Sequence, residues 1–230
     1  MPRILTVLEK FLDEIKKDNP YKLVIKGGTA LSLFYLNHHR ESEDLDFDAD
    51  VSYLKNYKKI EAYFVDILEK LKQKNYIKKF SKGKSGLAST NRYHMKLQLE
   101  TYKTFNTKID VDFVEIPENL NNKGELFLYS PERLFVTKML TFISRNEFKD
   151  LYDVAYLMHH IDIARFKHNQ NIINLIDEFI NTILNQDVIR LFKNAFRNVD
   201  LRFKDLKECG AEQFTLKTVR SLRTLRNKLN

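Results

Sequence analysis

Two kinds of hydrophobic periodicity divide the chain. In its first half, apolar and polar residues alternate in several segments, which is typical of strands with one buried face. The clearest alternating segments are Tyr93–Tyr102 and Thr107–Glu115, with a turn near residues 103–106 between them. After residue 128 the apolar residues recur every three or four positions, which is typical of amphipathic helices. The pattern predicts a mixed α/β part followed by an all-helical part.

The same patterns predict the remaining elements and two domains. Ser130 before Pro131 is a favourable helix start, because serine caps helix N-termini and proline fits the first helical position. We expect a small mixed β-sheet with flanking helices in residues 1–128, and a helical bundle in residues 129–230. The predicted elements are a helix over 3–17, a strand, a helix and a strand over 22–49, a basic helix over 54–75, a polar loop over 80–91, and helices over 131–144, 147–159, 169–184, 186–197 and 212–229.

A glycine pair near the start of the chain follows a short apolar strand, Leu23–Ile25. Gly27 and Gly28 lack side chains, so a ligand can approach their backbone closely. Thr29 then begins an apolar helix, and the free N–H groups at a helix N-terminus favour phosphate. This segment therefore predicts a phosphate-binding turn, although a glycine pair alone also fits a simple tight turn.

Two alternating segments carry carboxylates on one face. Asp44, Asp46 and Asp48 alternate with apolar residues, and so do Asp110 and Asp112 further along. Residues i and i+2 of a strand share a face, so carboxylates from two neighbouring strands would converge. Hard oxygen ligands suit Mg²⁺, and two such ions can clamp both oxygens of a displacement at phosphorus. The spacing alone leaves open whether Asp110 or Asp112 is the third acid.

These segments together resemble a known superfamily. The motifs Gly27-Gly28-Thr29-Ala30-Leu31, Arg40-x-Ser42-x-Asp44-Leu45-Asp46-Phe47 and Ile109-Asp110-Val111 are similar to those of DNA polymerase β-like nucleotidyltransferases. Within that superfamily they resemble the AbiEii-type toxin group, whose distal motif is similar to Lys138, Arg145 and the run Lys149–Leu157. The matches extend from residue 22 to residue 157 in the family's order.

The resemblance implies an activity and a set of roles. The expected reaction moves a nucleoside monophosphate from an NTP to an acceptor hydroxyl. Gly27, Gly28 and Thr29 would hold the triphosphate, and Arg40 and Lys138 would offset its charge. The family pattern points to Asp110 as the third acid, and it implies that Asp150 completes the site. Asp44, Asp46 and Asp110 would bind Mg²⁺ or Mn²⁺.

Three further residues are interpreted from their own surroundings. Lys138 lies on a predicted helix that is mostly apolar, so we expect it to be partly buried and to need a partner. Asp153 is three residues after Asp150 and is expected to pack or to pair with an arginine. His38 and His39 are expected at a solvent-exposed helix end.

Composition adds information on partners and location. The formal net charge is +8, yet residues 41–50 hold six acids and no base, while residues 55–84 hold ten lysines and arginines against three acids. Residues 190–230 hold eleven basic residues against four acidic ones. Basic surface beside an acidic centre favours a polyanionic substrate, although lysine-rich helix faces are usually only solvated.

A single cysteine, Cys209, cannot form an internal disulfide, and no segment approaches 18 uncharged apolar residues. We therefore expect a cytoplasmic protein without a membrane span or signal peptide.

The preferred hypothesis from the sequence is a toxin that adds nucleotides to the tRNA 3′ end and is restrained by a cognate antitoxin, as the resemblance implies. Two alternatives stay open at this point. One is an enzyme that nucleotidylates a protein, and the other is a catalytically weak module that binds nucleotide or RNA.

Overall fold

A computed structural model describes residues 4–187, 190–191 and 206–229 of the chain. The chain divides into two compact units, the first made of residues 1–34 and 42–129 and the second of residues 35–41 and 130–230. The expected α/β class is confirmed, since a mixed sheet is followed by helices along the chain. None of the described helices is both long and apolar enough to cross a membrane.

The first unit contains a seven-stranded sheet whose spatial order is β3-β4-β5-β2-β1-β7-β6. The pairs β2–β5 and β1–β7 are parallel, and the other neighbours are antiparallel. The strands are β1 (Val24–Lys26), β2 (Leu45–Asp50), β3 (Lys79–Ser89), β4 (Arg92–Glu100), β5 (Thr104–Val114), β6 (Asn121–Lys123) and β7 (Leu126–Leu128).

One face of this sheet packs against two helices, α1 (Ile4–Ile15) and α3 (Tyr57–Gln73). Leu8 of α1 and Leu68 of α3 line the same small apolar space as Leu97 and Ile109 of the strands. Every second residue of β2 and β5 is buried on this side, which confirms the prediction from their alternation. These buried residues are Leu45, Phe47, Ala49, Ile109, Val111 and Phe113.

A short helix follows β1 directly. This helix, α2 (Gly27–Ala30), continues as a π-helical turn, Leu31–Tyr35. A 3₁₀ helix, Val51–Asn56, likewise joins β2 to α3.

The second unit is helical in the part that the structure describes. It contains α4 (Pro131–Arg145), α5 (Phe148–Leu157), a 3₁₀ helix (Ile163–Phe166), α6 (Gln170–Leu184) and α7 (Leu206–Leu229). Ser130 caps α4 by accepting a hydrogen bond from the backbone N–H of Arg133, as predicted. Aromatic side chains join the helices, with ring centroids of Phe142 and Phe179 5.1 Å apart. Gly210 bends α7, because its φ of 69° is not helical.

The secondary structure differs from the prediction at two places. Residues 80–91 were expected to form a polar loop, but most of them form β3 at the edge of the sheet. Most side chains of β3 are exposed, so the strand shows no alternation to detect. The sequence also missed β6 and β7, which have three residues each. The helix predicted over 186–197 falls largely outside the described residues.

Candidate active site

Gly27 is the point where β1 turns into α2, and its backbone is left-handed, with a φ of +74°. A Cβ atom at this position would lie 2.3 Å from Oδ2 of Asp46. Two reasons therefore require glycine at this position. A residue with a side chain would be strained in the left-handed conformation, and its Cβ would collide with the Asp46 carboxylate. The missing side chain gives Asp46 its place beside the glycine turn.

Thr29 connects the same turn to the next strand. Its side chain is fully buried, and its hydroxyl donates a hydrogen bond to the backbone carbonyl of Asp44. This bond holds Asp44, the residue just before β2, in position relative to the start of α2. Gly28 is also buried.

The predicted acids lie on neighbouring strands. β2 and β5 run parallel with Asp46 opposite Asp110 and Asp48 opposite Asp112, which confirms that the two acidic strands are adjacent. The sequence did not indicate the cations between these acids. Lys108 lies with its ammonium 2.8 Å from Asp110 and 3.8 Å from Asp44.

Asp110 has a second neighbour, His94 of β4, whose Nδ1 lies 2.5 Å from the carboxylate. Burial alone would raise the pKa of Asp110, but the hydrogen bonds from Lys108 and His94 outweigh burial and lower it. Asp110 is therefore a carboxylate at neutral pH. Only the register of β4 against β5 places His94 here, so no local sequence signal could identify it.

Asp48 and Asp112 form a separate row with cations of their own. Lys26 makes ion pairs with both carboxylates, at 2.6 Å from Asp112. Arg92 holds Asp112 through two further hydrogen bonds of 2.6 and 2.8 Å. Burial opposes ionisation of Asp112, but Arg92 and Lys26 outweigh it and lower its pKa. This row is neutralised within the protein.

The residues Asp44, Asp46 and Asp110 fit a hard divalent cation by donor type and by their shared sheet face. The Lys108 ammonium already lies between two of these acids, which marks the place where positive charge is favoured. Within residues 4–187, 190–191 and 206–229, however, no three His, Cys, Asp or Glu side chains are close enough together to hold a metal. A bound ion would require these carboxylates to turn toward each other.

The second unit holds a buried ionic cluster formed by residues of the distal motif. Lys138 lies 2.9 Å from Asp150 and 2.8 Å from Asp153, so the prediction that it is buried and partnered is confirmed. Arg40 donates two hydrogen bonds to the Asp153 carboxylate, of 2.6 and 2.7 Å, and Arg145 donates two to the Asp150 carboxylate, of 2.8 and 2.9 Å. The predicted pairing of Asp153 with an arginine is confirmed.

The electrostatics of this cluster keep Lys138 and Asp153 charged. Burial opposes the charge on Lys138, but Asp153 and Asp150 outweigh burial and raise its pKa. Burial likewise opposes the charge on Asp153, yet Arg40 and Lys138 hold its pKa well below the usual range. Three cations surround two carboxylates, so the cluster carries a net charge of +1 when His39 is neutral.

His39 corrects another expectation. It was expected at an exposed helix end, as His38 is, but its side chain is buried and its Nε2 lies 2.8 Å from Asp153. The ring also stacks on Tyr152, with centroids 5.8 Å apart. A local pattern could not show this, because its partners lie more than 110 positions away in the chain.

The structure thus groups the predicted site residues in two sets. The first unit contains Gly27, Gly28, Thr29, Asp44, Asp46 and Asp110, and the second contains Arg40, Lys138 and Asp150.

Solved structures with a similar fold include two from Helicobacter pylori and one from Mycobacterium tuberculosis. The crystal structure of JHP933 from H. pylori has a TM-score of 0.67 and 19% identity, covering 100% of this chain and 94% of that one. A putative nucleotidyltransferase from H. pylori has a TM-score of 0.66 and 18% identity, covering 98% and 94%. MenT4, a nucleotidyltransferase toxin from M. tuberculosis, has a TM-score of 0.53 and 14% identity, covering 99% and 84%.

At these identities the structural neighbours establish the fold. No curated protein matches this chain. The family described as "Nucleotidyl transferase AbiEii toxin, Type IV TA system" matches residues 10–226, which is nearly the whole sequence. The chain therefore belongs to the AbiEii family of nucleotidyltransferase toxins.

Proposed function

We propose that this protein transfers a nucleoside monophosphate from an NTP to an acceptor hydroxyl and releases pyrophosphate, using Mg²⁺ or Mn²⁺. One observation carries the proposal. Asp46 and Asp110 are paired on adjacent parallel strands, and the first of them lies against a glycine that has no room for a side chain. Membership of a nucleotidyltransferase family makes transferase chemistry the expected activity.

In this proposal the glycine turn binds the donor. The backbone N–H groups of Gly27 and Gly28 would hold the triphosphate, since no side chain at Gly27 separates the chain from Asp46. Thr29 would act through its bond to the Asp44 carbonyl, which sets the distance between the turn and the acids.

Asp44, Asp46 and Asp110 would hold the metal ions. Ions bound there would offset the triphosphate charge and polarise the reacting phosphorus. Asp110, which is ionised at neutral pH, would accept the proton of the acceptor hydroxyl as the new P–O bond forms and pyrophosphate leaves. The Lys108 ammonium lies beside Asp110 and Asp44, where it would compete with a bound ion for the same carboxylates.

The buried cluster would supply positive charge and hold its own segment in place. Lys138 makes ion pairs with both carboxylates, and we assign it the role of offsetting phosphate charge. Arg40 gives its Nε and one terminal nitrogen to Asp153, so we favour a positioning role for it over direct phosphate contact. Asp150 would complete the site by fixing Lys138 and Arg145.

The proposed biological role is that of a cytoplasmic toxin that modifies the 3′ end of tRNA and is held in check by a cognate antitoxin. The family consists of toxins of type IV toxin–antitoxin systems, which supports the toxin role. The basic segments 55–84 and 190–230 support a polyanionic acceptor.

The test is incubation with each labelled NTP, Mg²⁺ or Mn²⁺, and either total RNA or total protein. We expect label in the tRNA fraction with the native protein and none with Asp44→Asn or Asp46→Asn, because neutral amides bind Mg²⁺ poorly. Both variants should remain folded, since they remove repulsion between acids. Label in protein alone would replace the RNA acceptor with a protein one, and full activity of either variant would refute the metal site.

A further inference from the structure

The hairpin β4–β5 continues the acidic site as a ladder of paired side chains on the same sheet face. Moving away from the His94/Asp110 pair, the next cross-strand pairs are Lys96 with Lys108, Gln98 with Asn106, and Glu100 with Thr104. The contact of His94 with Asp110 shows that this is the face that carries the acids. We call these last three pairs, from Lys96/Lys108 to Glu100/Thr104, the open strip.

The open strip is uncovered in the part of the chain that the structure describes. Lys96, Gln98 and Asn106 are exposed, whereas Met95, Leu97 and Leu99 on the other face are buried. Apolar residues from α1 and α3 cover that other face. The strip therefore presents polar side chains to solvent, starting directly beside Asp110.

The pair Lys96/Lys108 is unusual for a sheet. Like charges directly opposite each other are destabilising in antiparallel pairs. Lys108 is offset by Asp110 and Asp44, but the ammonium of Lys96 forms no ion pair with any described residue. An anion bound between the two lysines would remove this repulsion, so the pair is suited to one phosphate group.

The next pair supports the same ligand. The amide of Gln98 donates a hydrogen bond of 3.3 Å to Asn106, and both amides keep free hydrogen-bonding capacity toward solvent.

We propose that the open strip binds the single-stranded 3′ end of the acceptor nucleic acid, an inference that rests on the proposed function. Lys96 and Lys108 hold the last phosphodiester, and the terminal hydroxyl reaches Asp110. The preceding nucleotides run along Gln98 and Asn106 toward the hairpin turn. Asn106 and Asp110 are four positions apart along β5, about 13 Å, so the strip is long enough for more than the terminal nucleotide.

The test measures binding of a short single-stranded RNA with a free 3′ hydroxyl, by fluorescence anisotropy at several salt concentrations. In Lys96→Glu combined with Gln98→Glu, affinity should fall roughly tenfold or more, because a charge-assisted phosphate contact is lost. The slope of log affinity against log salt should also become shallower by about one. The control is Asn122→Glu combined with Lys123→Glu, two exposed positions on β6 at the far edge of the sheet, which change the net charge by the same amount and lie outside both basic segments.

Three outcomes separate this inference from the proposed function. If the native protein labels RNA but the strip variant binds and labels it as well as the control, the strip assignment is wrong and the function stands. If NTP affinity falls with RNA affinity, the strip holds the triphosphate and the acceptor assignment is overturned. If the native protein labels only protein, the RNA acceptor fails and the strip proposal fails with it. Equal melting temperatures of all variants exclude a folding effect.

Discussion

Asp110 and Asp112 face the same side of β5, but they have different partners. Asp112 is held by Arg92 and Lys26, which neutralise it within the protein. Asp110 is the strand partner of Asp46, and Asp46 is the acid that lies against Gly27 of the glycine turn. The contacts therefore favour Asp110 as the third acid of the proposed site, the choice that the sequence spacing left open.

This difference leads to opposite expectations for two matched variants. Asp110→Asn should abolish nucleotide transfer. Asp112→Asn should keep most of the transfer but lower the free energy of unfolding by about 1–3 kcal/mol, because Arg92 and Lys26 lose hydrogen bonds to a charged partner. A transfer assay together with thermal denaturation distinguishes the two. Loss of transfer in Asp112→Asn alone would show that the catalytic row lies two residues further along.

His39 gives the second residue-scale prediction, through pH. Burial lowers its pKa, and Arg40 and Lys138 act in the same direction, although Asp153 opposes them. The unfolded chain therefore binds a proton at about pH 6.5 that the folded protein does not bind. Stability should fall as pH decreases below that value, by at most about 1.4 kcal/mol per pH unit.

The measurement is urea unfolding at several pH values between neutral and mildly acidic. His39→Gln should show a weaker decrease than the native protein, because it cannot take up the proton in the unfolded state. Asp153 contributes only at lower pH, since its pKa is lowered. Identical pH dependence in both proteins would mean that folding leaves the pKa of His39 unchanged.

At this scale, alternation along the chain was enough to predict the acids but not their neighbours. Asp46 and Asp110 are identifiable because apolar residues flank them at a period of two. Lys108 and His94 reach Asp110 through an ion pair and a strand register, and neither depends on a local pattern. The sequence predicts which groups can do chemistry, while partners brought together from distant positions require the fold.

At the scale of elements, α4 and α5 carry most of the buried ionic cluster. Variants of its residues can show whether Lys138 has a functional role or only a structural one. Each carboxylate accepts hydrogen bonds from a different arginine, Asp153 from Arg40 and Asp150 from Arg145. Lys138→Met should therefore change the free energy of unfolding by only about 1 kcal/mol, because two complete ion pairs remain. Asp153→Asn should cost about 3–5 kcal/mol, because it leaves buried cations unpaired.

NTP affinity separates the same variants. If Lys138 offsets phosphate charge, Lys138→Met should weaken NTP binding by roughly 10- to 100-fold. Titration calorimetry on the folded variant measures this directly. Unchanged affinity would leave Lys138 as a purely structural member of the cluster, and a large loss of stability would contradict the charge count.

Element boundaries were predictable where burial is one-sided. β4 and β5 were predicted to within about three residues, since one face of each is buried and the other is not. β3 is an edge strand with little burial on either face, so its glycines and serines indicated a loop. The three-residue β6 and β7 are too short for a period of two to be recognised.

At the scale of the whole molecule, the order of residues along the chain does not show which segments make up each compact unit. A change from alternating to helical periodicity near residue 129 is visible in the sequence. The assignment of residues 35–41 to the second unit is not visible, because contacts such as those of Arg40 and His39 with Asp153 join positions far apart in the chain. A predicted boundary marks one point in the chain, whereas a compact unit can take a segment from elsewhere.

The last prediction concerns the basic charge of the C-terminal helix. Arg220, Arg223 and Lys228 of α7 are exposed, whereas Arg226 on the same helix is partly buried and pairs with Asp177 at 3.1 Å. Arg220 and Arg223 are three residues apart and share a helix face. If they contact RNA phosphates, Arg220→Glu combined with Arg223→Glu should reduce RNA affinity and make the salt slope shallower by about two, with NTP affinity unchanged.

The matched control is Lys22→Glu combined with Lys123→Glu, which changes the net charge equally at exposed positions outside both basic segments. Net charge alone would weaken RNA binding in both double variants to the same extent. A specific footprint on α7 would weaken it only in the arginine variant. If both variants bind RNA like the native protein, the excess of basic residues on α7 serves solvation, and the acceptor is held elsewhere.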